Sequence, residues 1–268
     1  TYPGTLRGTG AVDRAIPCDP AHDFQPRAAD LEAAAKGARS LLVNSPNNPT
    51  GVVYDRATWQ AIAKTCITHD LWLISDEVYD TQVWQGEHIS PRSLPDMQER
   101  TLVIGSMSKS HAMTGSRIGW ICGPVPVIEY LTNFATHTTY GVPGFIQDAA
   151  EFALSQGQEL EDEVAAPFRR RRRIALDLLT QQNLVRAVPC SGAMYLMLDM
   201  RATGRSGEAF AHALLDAHQI AVMPGESFGQ AAAGHIRVAM TVADDQFSEA
   251  LTVLLSFAAE ICENKRRF

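Results

Sequence analysis

Lysine is scarce in this chain of 268 residues: of its 23 basic residues only Lys36, Lys64, Lys109 and Lys265 are lysines, and the rest are arginine. A chemistry that needs a primary amine therefore has few candidates. Positive charge is in deficit too. The formal net charge of −7 argues against a general nucleic-acid binder and against attraction to an anionic membrane. The five cysteines (Cys18, Cys66, Cys122, Cys190, Cys262) are scattered with no CxxC pair. That excludes a disulfide framework or a zinc cluster, so no metal is expected, and it fits a reducing cytoplasm. No apolar run is long enough to span a bilayer. The opening TYPGTLRGTG has no basic region followed by an apolar stretch, so it does not read as a signal peptide. It also lacks a starting Met and opens as if in mid-fold.

What is present is a chain with 46% hydrophobic residues, enough for one large core or a large and a smaller one. Short apolar runs at 41–43, 71–74, 101–105 and 118–122 read as buried strands. Between the first two, Asp55 is a plausible N-cap, followed by Trp59, Ile62, Ala63, Cys66 and Ile67 on one helical face. Such alternation implies an α/β fold with a parallel sheet covered on both faces. The character changes near residue 157. Residues 158–182 read as one long helix containing five consecutive arginines, 169–173, which as a charge run read as a solvated face. A strand at 194–198, a helix at 208–217 and a strand at 235–238 follow. A closing helix then carries the stripe Phe247, Ala250, Leu251, Leu254, Leu255, Ala258. The expected organisation is a large domain, 1–157, and a long connecting helix with a smaller C-terminal α/β domain, 158–268.

Ligands of parallel sheets sit beyond the carboxyl ends of the strands. Three polar clusters lie there: NSPNNPTG (44–51), SDEVY (75–79) and SMSK (106–109) running on to Arg117. Ser106, Ser108 and Arg117 group hydroxyls and a guanidinium suited to a phosphate. Lys109 beside them is a point-charge partner of that phosphate, a nucleophile toward an aldehyde, or simply a solvated loop lysine. Asp76 follows a buried strand and needs a cationic partner, either a protonated pyridine nitrogen or an arginine. Tyr79 and the Asn48 amide can both hydrogen-bond a phenolate oxygen. Taken alone, 47–51 is a run of turn-forming residues. Tyr140 and Tyr195 read as packing aromatics, with an aromatic pocket as the alternative.

Together, SPNNPTG (45–51), SDEVYD (75–80), SMSKSHAMTGSRIGW (106–120) and HIRVAMT (235–241) resemble the class I/II aminotransferases of the fold-type I enzymes, which use pyridoxal 5′-phosphate (PLP). The resemblance runs from about Tyr2 to the C-terminus. It implies that Lys109 is the Schiff-base lysine and that Asp76 keeps the pyridine nitrogen protonated. Tyr79 and Asn48 then hold the phenolic oxygen, and Ser106, Ser108 and Arg117 bind the phosphate. Arg237 clamps the substrate α-carboxylate, with a surface ion pair as its other reading; a cis Asn48–Pro49 bond is expected. The resemblance also implies amino-acid and 2-oxo-acid substrates and a homodimer with shared active sites, to which 136–141 could contribute.

Relatives in that family are longer at the N-terminus, so the chain reads as the C-terminal two-thirds of such an enzyme. It is expected to leave apolar surface exposed and to bind PLP poorly on its own. Three other readings stay open: carbon–sulfur β-elimination on the same scaffold, a non-catalytic sensor domain, and an inactive fragment.

Overall fold

The computed structural model describes residues 2–266, apart from the side chains of 264–266; the Lys265 side chain thus lies outside the described residues. Helices α1 (Tyr2–Gly8) and α2 (Ala28–Ala35) precede strand β1 (Ser40–Asn44). Next come α3 (Arg56–Thr68), β2 (Trp72–Asp76), β3 (Thr101–Ser106), the one-turn helix α4 (Met107–Ser110) and β4 (Gly119–Cys122). Three helices follow, α5 (Val125–Thr136), α6 (Gly144–Ser155) and α7 (Gln158–Thr180). The remainder is β5 (Arg186–Ala187), β6 (Tyr195–Asp199), α8 (Gly207–His218), β7 (Met223–Pro224), β8 (His235–Ala239) and α9 (Asp244–Arg266).

The first sheet has the order β1-β2-β3-β4. The pairs β1–β2 and β2–β3 are parallel, as alternating strands and helices dictate. Asp55 caps α3 by accepting from Thr58 N–H at 2.7 Å. That sets the helix angle, so Trp59, Ile62 and Cys66 are buried with Val43 and Leu73. The last strand is the exception that makes the sheet mostly, not wholly, parallel, because β4 runs antiparallel to β3. The link between them holds only the one-turn α4 and a 3-10 turn, Thr114–Ser116. A parallel crossover needs a longer helical connection.

Coverage of this sheet is incomplete, which matches the expected exposure of apolar surface and not a sheet covered on both faces. All four residues of β4 are exposed, and α5 buries none of its residues. Trp120, Tyr130, Phe134, Phe145 and Phe152 all show large exposed apolar surface.

The second sheet has the order β5-β6-β8-β7 and is antiparallel throughout. Strand β6 is buried on both faces. Leu196 and Leu198 point to the helices, where they pack with Phe210, Leu214, Phe247, Leu251 and Leu254. Met197 points the other way and joins the core under the first sheet. The two sheets thus share buried contacts as well as chain.

The arginine run is not a uniformly solvated face. Arg170 and Arg171 both bond Asp244, at 2.8 and 2.7 Å, and Arg171 also donates to Met240 O at 2.9 Å. Arg172 donates to Cys190 O. Successive helical positions rotate by about 100°, so part of the run turns inward and ties α7 to the last helix and to the approach to β6.

Glu226 holds the start of α8, where Oε1 accepts from Gly207 N–H at 2.9 Å and from Gly234 N–H at 3.0 Å. Burial pushes this carboxyl up, but backbone N–H groups around it, those of Gly234 and Gly207 included, outweigh burial and leave it below the usual range. A group depressed in the folded state contributes stability above its unfolded pKa and loses it as pH falls through the folded value. E226Q should therefore unfold a few degrees lower than the parent at pH 7. The gap should close as pH drops below about 4. Thermal melts across that range check this, and a gap independent of pH would contradict it.

Candidate active site

Strands β1 and β2 end at one level because Asn44 pairs with Asp76, and Asp76 lies opposite Ile104, two residues before β3 ends. Side chains just past those ends therefore converge. Asn44 is buried, and it organises the first loop. Its Nδ2 donates to Asp76 O at 3.0 Å, and its Oδ1 accepts from Asn48 N–H at 2.9 Å. Asn47 Nδ2 in turn donates to Asn44 O at 3.2 Å. The Asn48–Pro49 bond is cis, as expected, and Ser45–Pro46 is cis as well.

The loop is stapled to the second sheet. Gly51 O accepts from both Ser191 and Gly192 N–H at 2.8 Å, and Ala193 N–H donates to Gln82 O at 2.8 Å. Gly51 has φ +71°, and a Cβ there would stand 2.8 Å from Tyr195 O. Only glycine meets both demands. The staples bring the start of β6 and the middle of β8 against the strand ends.

Arg237 is the clearest result. It donates from Nη1 to Asn48 Oδ1 at 3.0 Å, across 189 residues of sequence. It makes no salt bridge among the described residues, and its Nε is buried without a partner. The expected alternative, a surface ion pair, is therefore not what this arginine makes. Its guanidinium carbon lies 4.5 Å from the Tyr195 ring centroid and 5.1 Å from that of Phe228.

Tyr79 is buried, and its hydroxyl lies 3.0 Å from that of Tyr195. Burial pushes the Tyr79 phenol up. The hydrogen bond and charge of Tyr195 and the charge of Asp76 add to this, and Arg237 offsets part of it. Tyr79 is thus a protonated donor through the neutral range.

Asp76 Oδ1 accepts from Val78 N–H at 3.3 Å, and Oδ2 accepts from the Tyr2 hydroxyl. Burial, then Asp76 itself, pushes the Tyr2 phenol up, so Tyr2 stays the donor. Asp76 has no arginine partner among the described residues.

The third cluster is arranged by β3 and α4. Ser106 Oγ caps α4 by accepting from Ser108 N–H at 3.1 Å. Lys109 sits one residue on, its backbone oxygen accepting from Gln82 Nε2 at 3.1 Å. Its amine has no hydrogen-bond or ion-pair partner among the described residues. Arg117 has positive φ and donates to Thr114 O at 2.9 Å; it bonds neither Ser106 nor Ser108.

Sequence reasoning missed Asn44, Tyr2 and the contacts of Tyr195. Tyr195 is buried, as a packing aromatic would be, but its hydroxyl and ring face both touch site residues. Tyr140 is 85% exposed and packs against nothing that would bury it, which corrects its reading as a packing ring. For Asn44, the usable signal was a polar residue closing a buried strand.

Comparisons with known proteins bear on the family and the fold. The family model "Aminotransferase class I and II" matches residues 1–254. An arginine–pyruvate transaminase of Pseudomonas aeruginosa is 41% identical, over 97% of this chain and 67% of its own. An aspartate/prephenate aminotransferase of Thermus thermophilus is 34% identical, over 94% and 65%. A solved Thermus thermophilus aspartate aminotransferase, a double mutant, superposes with a TM-score of 0.87 at 33% identity, over 96% of this chain and 66% of that one. The chain thus spans about two thirds of the length of these relatives.

Asn44→Ala removes the donor to Asp76 O and the acceptor for Asn48 N–H together. Loss of buried hydrogen bonds that leaves groups unsatisfied costs about 1–3 kcal/mol. Urea unfolding should show the free energy of unfolding falling by that amount, seen as a lower midpoint at unchanged slope. An unaltered midpoint would remove Asn44 from its organising role.

Proposed function

The chain belongs to the class I and II aminotransferase family, and from that premise we propose that it moves an α-amino group between an amino acid and a 2-oxo acid with pyridoxal 5′-phosphate as cofactor. Its fold is that of the fold-type I aminotransferases. The observation that carries the reading is the Asn48–Arg237 hydrogen bond of 3.0 Å. It sets a guanidinium with no counter-ion beside the strand ends that bear Asp76, Tyr79 and Lys109.

The residues fit that cofactor by their chemistry. Lys109 offers an amine without a competing partner, suited to an aldehyde carbon. Asp76 offers a carboxylate for a ring nitrogen. Tyr79 donates to the phenolic oxygen, and Asn48, whose Oδ1 is taken by Arg237, keeps its Nδ2 for the same oxygen. The hydroxyls of Ser106 and Ser108 and the guanidinium of Arg117 are the phosphate ligands. The bound cofactor supplies an electron sink for the charge that develops at the substrate Cα. Arg237 takes the substrate α-carboxylate through guanidinium N–H groups that no protein acceptor occupies, a task suited to its planar fork. That fixes Cα relative to Lys109, whose amine would take the Cα proton as general base and deliver it to the cofactor's aldehyde carbon as general acid.

Amino transfer rather than carbon–sulfur elimination is supported by the names of the relatives, which are transaminases and aminotransferases. The reading commits to the α-amino and α-carboxylate groups that all amino acids share. We assign residues 1–157 to a large cofactor-binding domain and 158–268 to the connecting helix and small domain. A homodimer completes the proposal, with the exposed segment 136–141 reaching the neighbouring copy.

Adding pyridoxal 5′-phosphate, reducing with borohydride and mapping the labelled peptide tests the assignment. Label is expected on Lys109. Label on Lys36, Lys64 or Lys265 instead would overturn it.

A further inference from the structure

We propose that Tyr195 is a positioning residue that couples the two halves of the site, its hydroxyl directing the proton of Tyr79 and its ring face seating Arg237. The proposal rests on the aminotransferase reading and adds to it a residue that touches neither reacting atom.

The placement follows from strand register. Tyr195 opens β6 opposite Ala239 of β8, and Arg237 lies opposite Met197. Tyr195 and Met197 share a face because strand side chains alternate. Arg237 shares it too, and diagonal neighbours on one face lie within reach of long side chains. The register thus lays the guanidinium 4.5 Å from the Tyr195 ring centroid.

A ring face suits this task in a way that a carboxylate would not. An Asp or Glu beside Arg237 would occupy the N–H groups that a substrate carboxylate must reach. The ring attracts the cation through its quadrupole and leaves those donors free. Consistent with that, Arg237 has a buried Nε without a partner and only an amide oxygen on Nη1.

The hydroxyl does separate work. Each phenol has one proton and can also accept. The two hydroxyls stand 3.0 Å apart in a T-shaped ring pair. If Tyr79 donates to the cofactor's phenolic oxygen, its proton is committed there. Tyr79 must then accept from Tyr195, so Tyr195 determines which way the Tyr79 proton points. One side chain therefore links the group that tunes the cofactor to the group that seats the substrate.

Two variants separate the two tasks. Y195F keeps the ring and loses the hydroxyl, and Y195L loses both. The readouts are the pH midpoint of the bound cofactor's absorbance change and the glycine concentration that half-saturates the spectral change of the loaded protein. Glycine has no side chain, so it reports the α-carboxylate and amine alone. Y195F should move the pH midpoint by about half a unit or more and leave glycine half-saturation unchanged. Y195L should also raise glycine half-saturation by about tenfold. If Y195L does not fold, Y195F still decides, because a merely packed ring would leave the pH midpoint where it is. Loaded wild type with an unshifted midpoint in Y195F overturns the coupling alone. Wild type that forms no Lys109 adduct even with saturating pyridoxal 5′-phosphate overturns the aminotransferase reading, and this proposal with it.

Discussion

The carbonyl oxygen of Asp76 accepts from Asn44 Nδ2 at 3.0 Å and from Ser45 N–H at 3.2 Å, and the rest of the site depends on that pair of bonds. They hold the ends of β1 and β2 level, just where each chain leaves the sheet. From there the Asn44 side chain fixes the start of the Asn48 turn, and Glu77 N–H donates to Ile104 O at 2.9 Å, continuing the alignment onto β3. A buried polar group is costly unless it is hydrogen-bonded. The sheet meets that demand by spending its last polar groups on one another, and the proposed site residues Asn48, Tyr79 and Lys109 stand on the segments that follow.

The second constraint is charge. A guanidinium held even partly out of water without a counter-ion is costly, and its usual resolution is an ion pair. Arg237 instead has two ring faces and one amide oxygen. It is held in place while its charge stays uncompensated, which is the condition for taking an anionic substrate. The arginines of α7 show the opposite arrangement. Arg170 and Arg171 are satisfied by Asp244, and they hold the frame rather than the ligand. The staples from Gly51 O to Ser191 and Gly192 join the two regimes, since they press the start of β6 against the loops of the first sheet.

The strand ends were legible in the sequence because polar clusters interrupt apolar runs there, and Asp76, Asn48 and Lys109 all stand at such breaks. The Asp55 cap and the stripe on α9 were legible for similar local reasons. Strand direction was not: the pattern of β4 is the same whether the strand runs up or down, and only the short link to it excludes a parallel crossing. The arginine run misled because five identical letters hide a helical rotation that points some of them inward. Tyr195 was read correctly as buried, but its hydroxyl and its ring face meet residues 116 and 42 positions away. No local pattern carries contacts of that range. The Tyr2–Asp76 bond is long-range in the same way.

The central claim is that level strand ends present Asp76 as the partner of the cofactor's ring nitrogen. Pyridoxal 5′-phosphate labelled with ¹⁵N in the ring, bound to the protein and observed by NMR, reads the protonation of that nitrogen directly. The account predicts a protonated nitrogen in the parent and loss of that proton in Asp76→Asn, which is nearly isosteric but carries no charge. A nitrogen with the same protonation in both proteins would contradict it.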